Sequence, residues 1–320
     1  MWTGKKIFII AASFFVVIFL SFEVKAEKKV GILMFSEEAR YNDATRGIID
    51  QLKEDGYAAP KIKLVVENAG ANKARASELV RLYAAEKMDL IITLGTSITI
   101  PLAKEIKDVP IVFGVVYDPV EAGIARNWKS SGNNTTGAST KIPMSELIGN
   151  LKEFKPVKRL AVLYTPGEKN SETQLKDLQE TQPEYKIKII PVPLTKKEEV
   201  GQILPEVMRT SDAVYVTGSN LVNSQVSMIV DMASKANVVT ITHLEDLVGK
   251  GVLLGVCSDS YRNGRLAGEK AVKILRGAKP SSIPIESPKE YDVMINMETA
   301  RAGRFQIPPD FMKTVTKKIN

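Results

Sequence analysis

Apolar and polar positions along this chain repeat in two periods. Short runs rich in Val, Ile and Leu, bounded by turn residues, read as strands. Between them apolar residues recur every three or four positions, which is the helical period. Strands are expected at 29–35, 62–66, 90–94 and 111–116, and helices at 39–56, 72–87 and 97–106. In the first helix Ile48, Ile49 and Leu52 share a face, and Gly56 supplies a C-terminal stop. A helix at 144–154 opens a second series, with strands at 159–164, 186–190, 213–216, 238–241 and 252–256. Its helices are expected at 171–182, 198–208 and 224–235. A helix at 261–275 ending at Gly277 and a strand at 291–297 precede a tail that carries Pro308-Pro309.

Strands alternating with amphipathic helices predict parallel sheets with crossover helices. Two series of similar size, in a chain longer than one ordinary domain, predict an α/β fold of two doubly wound, Rossmann-like lobes. The series share no motif at a fixed period, so they are not a tandem repeat. The Pro- and Ser-containing stretch 279–288 reads as a connector.

The N-terminus changes the compartment in which this is read. Lys5 and Lys6 precede an apolar run, 7–22, interrupted only by Ser13 and Ser21, and Val24-Lys25-Ala26 follows. A basic segment, an apolar segment and an A-x-A-like exit describe a secretory signal. The run is shorter than the ~20 residues a spanning helix needs. Cleavage after Ala26, and a free periplasmic protein, are the expectation.

Composition is that of an ordinary globular chain, at 44% hydrophobic and 25% charged residues. A formal charge of +7 comes from scattered lysines without a basic patch or recognition motif, so no nucleic-acid partner is expected. The single cysteine, Cys257, follows an apolar run and reads as a small buried residue. No G-x-S-x-G, G-x-x-x-x-G-K-[ST] or G-x-G-x-x-G motif is present. With one histidine, His243, and one cysteine, a transition-metal cluster lacks ligands. Neither an enzyme activity, a metal nor a cofactor is expected.

In open α/β sheets ligands sit beyond the carboxyl ends of the strands. Those ends carry polar turns: Met34-Phe35-Ser36, Gly95-Thr96-Ser97, Tyr117-Asp118, Tyr164-Thr165 through Asn170-Ser171, Gly218-Ser219-Asn220 and Asp259-Ser260-Tyr261. Each alone is an ordinary helix cap. Six together, in two lobes, point to a cleft. Hydroxyls and free N–H groups there suit a carboxylate, and Asp118 or Asp259 suits an ammonium. Phe35, Tyr117, Tyr164 and Tyr261 are available to stack on a ring, and His243 joins the cleft from the second lobe.

Several longer motifs support the same picture: Gly47-Ile48-Ile49-Asp50-Gln51-Leu52, Val109-Pro110-Ile111-Val112-Phe113 leading to Asp118-Pro119-Val120, and Thr135-Thr136-Gly137. Leu163 through Pro166-Gly167-Glu168-Lys169-Asn170-Ser171, Gly264-Arg265-Leu266-Ala267-Gly268 and Ile295-Asn296-Met297-Glu298-Thr299-Ala300 continue the series. Through them the chain resembles the substrate-binding proteins of ABC transporters related to tryptophan- and tyrosine-binding proteins, with the type I periplasmic binding fold. That resemblance implies a three-crossover hinge near Ser139, Asp259 and Glu286. It also implies a first lobe of residues 27–139 plus 252–285, a second of 140–251 plus 286–320, and an ABC permease in the inner membrane as partner. The ligand it implies is a small molecule of the amino-acid class, aromatic or branched, captured by hinge closure. Two departures fall at expected pocket positions: Ser219-Asn220 stands where the family commonly has Asp-Asn, and Asp259-Ser260-Tyr261 where it often has Asp-Tyr-Tyr. The same fold also serves ligand-sensing subunits of kinases or chemoreceptors, and sugar or nucleoside binders.

Overall fold

The computed structural model describes residues 27–320, so the expected signal at 1–26 lies outside the described residues. The first lobe runs β1 (Lys28–Met34), α1 (Ala39–Glu54), β2 (Ile62–Asn68), α2 (Lys73–Ala85), β3 (Leu90–Leu94), α3 (Thr96–Glu105), β4 (Ile111–Val116) and β5 (Thr135–Ser139). Its five strands form a parallel sheet in the order β2-β1-β3-β4-β5. Every residue of β3 and β4 is buried, as a parallel strand covered by helices on both faces requires. Alternation assigns the faces: Ile32, Leu90 and Ile92 pack in one core, and Leu33 and Ile91 in another under α2 and α3.

The second lobe begins with α4 (Met144–Phe154), β6 (Arg159–Tyr164), α5 (Lys169–Glu180), α6 (Gln182–Tyr185), β7 (Lys188–Pro193), α7 (Lys197–Thr210) and β8 (Ala213–Val216). It continues with α8 (Asn220–Ser224), α9 (Val226–Lys235), β9 (Val239–Thr242), α10 (Glu245–Gly249) and β10 (Leu254–Cys257). The chain then returns to the first lobe as α11 (Ser260–Leu275) and a 3-10 turn at Pro280–Ser282. It ends in the second lobe as β11 (Asp292–Asn296), α12 (Met297–Ala302), α13 (Pro309–Thr314) and β12 (Lys317–Ile319). The second sheet has the order β12-β11-β10-β9-β8-β6-β7, antiparallel only between β10 and β11. The fold is therefore mixed α/β with two mostly parallel sheets.

One expected boundary is corrected. Residues 252–258 do not join the first lobe, because β10 pairs with β9 on one side and β11 on the other. The passage back falls at Ser258-Asp259, and only from Ser260 does the chain pack on α1. The stretch 279–288 is also more than a connector. Thr136 Oγ1 donates to the Ile283 carbonyl (2.8 Å) and Ser139 N–H to the Glu286 carbonyl (2.8 Å), so the segment lies along the free edge of β5.

α11 is fixed to the first lobe by glycine. A Cβ on Gly264 would stand 2.1 Å from the Ala44 carbonyl oxygen, and one on Gly47 would stand 2.2 Å from the Tyr261 carbonyl oxygen. The two backbones touch there, which no larger residue permits. From α11 the Asn263 side chain accepts from Val115 N–H (2.9 Å) and donates to the Ser139 carbonyl (2.9 Å). Val115 has φ +53°, a strained value for a β-branched residue, where β4 slips register against β5. Cys257 is buried, which pushes its thiol pKa well up. No helix among the described residues is long and apolar enough to cross a membrane.

Candidate functional site

The carboxyl ends of the two sheets face each other across a cleft. Between them lies a cavity of about 20 Å³, room for a single water molecule. From the first lobe it is lined by Arg40, Tyr41, Thr96, Ser97, Val115 and Tyr117; Thr140 lines it from the first crossover. From the second it is lined by Asn170, Gln174, Gly218, Asn220, His243 and Leu244. The lobes are closed on one another.

Of the residues expected from sequence, Thr96, Ser97, Tyr117, Asn170, Gly218, Asn220 and His243 meet in this cavity. Thr96 and Ser97 open α3, whose first N–H groups point to the cleft by the geometry of any helix start. Asn170 donates to the Gly218 carbonyl (2.6 Å), and Asn220 donates across the cleft to Ser97 Oγ (3.2 Å). Tyr117 donates to Asp177 Oδ2 of the opposite lobe (2.8 Å). Burial, reinforced by Asp177, pushes the Tyr117 phenol pKa well up, so it remains a donor.

The other expected residues serve the frame. Asp118 Oδ1 accepts from the N–H groups of Val120 and Glu121, and its Oδ2 takes Lys141 (2.8 Å), so its charge is already paired by a cation of this chain. Asp259 caps α11 by accepting from Arg262 N–H. Tyr261 is turned to the far side, donating to Asp50 beneath the Arg46 guanidinium. Phe35 and Met34 lie in first-lobe cores, and Ser36 donates to Glu38. Thr165 and Ser219 share a hydrogen bond (2.6 Å), Ser219 caps α8, and Ser171 donates to the Thr165 and Glu168 carbonyls. Tyr164 packs on the second-lobe core. Gly95 is the positive-φ entry to α3, where a Cβ would meet the Tyr41 hydroxyl at 2.6 Å.

His243 is set by Tyr215, whose hydroxyl lies 2.6 Å from Nδ1. Among the described residues the Tyr215 O–H has no other acceptor, so it donates, Nδ1 accepts, and the neutral ring carries its proton on Nε2. Burial, with a smaller contribution from the Arg40 charge, lowers the His243 pKa to about 3. Tyr117 stands edge-on to the imidazole at 5.1 Å.

Arg40 was absent from the sequence expectations and is, among the described residues, the one charged side chain in the lining. Its Nη1 donates to Asp246 Oδ2 on α10 (2.7 Å) and its Nη2 to Glu38 (2.5 Å). Burial alone would weaken the charge of Arg40, but Asp246 and Glu38 outweigh it and hold the guanidinium protonated. The Arg40–Asp246 pair spans the two lobes and is almost wholly buried, at 5% and 3% side-chain exposure.

The profile of the family described as ABC transporter substrate binding protein matches residues 29–319. The chain belongs to this family. A relative named tyrosine-binding protein, from Clostridioides difficile, is 27% identical over 280 residues, covering 87% of this chain and 81% of the relative. Among solved structures, a conserved domain protein of Vibrio cholerae has a TM-score of 0.85 at 26% identity, covering 91% of this chain and 99% of the other. The ligand-free, open structure of a substrate-binding protein with adhesive properties from Clostridium difficile scores 0.73 at 26% identity, with coverage of 92% and 100%. A Streptococcus domain solved with L-Trp has a TM-score of 0.86 at 24% identity, with coverage of 92% and 100%, a likeness of fold. The mixed α/β fold with two mostly parallel sheets matches these neighbours over nearly the whole of the described chain.

Proposed function

We propose that this protein, exported by its N-terminal signal, captures an amino acid of the aromatic class between its lobes and presents the closed form to an inner-membrane ABC permease. The observation that carries the reading is the cavity lined from both lobes: a ligand there bridges them, and its binding energy favours closure. The lining offers hydroxyl, amide, imidazole and guanidinium donors beside the rings of Tyr41 and Tyr117, a combination suited to a carboxylate joined to a ring. The tyrosine-binding relative points to the same class. Because the closed cavity holds only a water-sized group, an amino acid enters with the lobes apart and closes them on a wider gap.

Thermal denaturation of the mature protein tests this against L-tyrosine, L-tryptophan, L-phenylalanine, L-leucine, ribose, myo-inositol and adenosine. An aromatic amino acid at 100 times its Kd adds ~2.7 kcal/mol and raises Tm by about 4 °C. A shift with a sugar or nucleoside, and none with any amino acid, sinks the reading.

A further inference from the structure

We propose that Arg40 and Asp246 are the two halves of the site for the ligand's charged head group: a zwitterion inserts between them, its carboxylate on Arg40 and its ammonium on Asp246. This rests on the amino-acid reading of the cleft and names the residues that recognise it.

Three observations converge on this pair. The first is position. Arg40 lies on α1 of the first lobe and Asp246 on α10 of the second, so one small molecule touching both ties the lobes together. The second is incompleteness. Asp246 Oδ1 is buried and, among the described residues, has no hydrogen-bond partner, a costly state for a carboxylate oxygen. Arg40 uses Nη1 and Nη2 once each on carboxylates and lines the cavity, with donors to spare for a second acid. The third is room. Lobes that must part to admit an amino acid cannot keep a 2.7 Å contact across the gap, so each member of the pair loses its cross-lobe partner when the cleft fills, Arg40 keeping Glu38 and Asp246 keeping only Lys250 at 3.9 Å.

A zwitterion restores both. Its carboxylate takes the place of Asp246 on the guanidinium, and its ammonium takes the place of Arg40 on Asp246. Each new contact is charge-assisted, which makes it stronger than a neutral hydrogen bond. Glu38 stays on Arg40 and keeps it aimed, and the net charge of the cluster is unchanged. Asp118 and Asp259, the acids expected from sequence to take an ammonium, are committed to a salt bridge and backbone caps or to a helix cap.

The experiment is calorimetry with three probes of one skeleton: L-tyrosine, tyramine, which lacks the carboxylate, and 3-(4-hydroxyphenyl)propanoate, which lacks the amine. The wild-type protein is expected to bind each fragment at least 30-fold more weakly than L-tyrosine. Asp246→Asn is expected to weaken L-tyrosine by tenfold or more and not to weaken the propanoate, whose carboxylate no longer has to displace Asp246 from Arg40. Arg40→Met, checked for folding by its circular dichroism, is expected to lose the preference for L-tyrosine over tyramine. A propanoate affinity within threefold of that for L-tyrosine overturns the inference and leaves the aromatic reading standing. If no amino acid binds, both fall together.

Discussion

At the scale of single residues, His243 shows how burial sets chemistry. An unfolded imidazole takes a proton near pH 6.5, whereas folded His243 resists until about pH 3. Between those values the unfolded state binds more protons, so acidification favours unfolding. Stability contributed by this group is complete above pH 6.5 and declines as pH falls toward 3, by up to ~1.4 kcal/mol per pH unit. Urea midpoints measured from pH 7 to pH 4 are expected to fall more steeply for wild type than for His243→Gln, which has no proton to gain. The residues of the cleft that were legible in sequence all follow a strand: Thr96, Ser97, Tyr117, Asn170, Gly218, Asn220 and His243. Arg40 was missed because it belongs to a helix face. Its signal was nonetheless present, for Arg40, Ala44, Ile48 and Leu52 stand four apart on the buried side of α1, where a charge must find a partner. Gln174, on the buried face of α5, was missed in the same way.

At the scale of elements, α1 and α11 are joined where Gly47 and Gly264 let backbones touch. Gly264→Ala forces a methyl to within 2.1 Å of the Ala44 carbonyl oxygen, a contact real atoms do not make. Overpacking of this kind costs ~1–3 kcal/mol, read as a lower Tm with ligand affinity changed little. The long strands and helices were readable because their periods are strong over many residues. β5 was not: Thr-Thr-Gly-Ala-Ser has no apolar alternation, and its five residues are buried by neighbours that sequence does not show. The five-residue helices α8 and α10 are likewise too short to display a period, yet they carry Asn220 and Asp246. Residues 252–258 were assigned to the wrong lobe because a run of Val and Leu does not say which sheet it completes.

At the scale of the whole molecule, closure is held by contacts of unequal depth. Lys176–Glu121 is exposed at both ends and contributes little, while Arg40–Asp246 is buried and exists only when the lobes meet. Removing one member of such a pair costs ~3–5 kcal/mol in the form that buries it and almost nothing in the open form, where both are hydrated. Small-angle scattering without added ligand is expected to show a larger radius of gyration for Asp246→Asn than for wild type; equal radii would mean the pair does not govern closure. The threading that gives three crossovers also orders the birth of the molecule. The first lobe lacks α11 until residue 275 is available, and the second lacks β11 and β12 until residue 319. A chain leaving the ribosome therefore completes its first lobe only after most of the second has been made, so the two lobes cannot fold one after the other as independent domains.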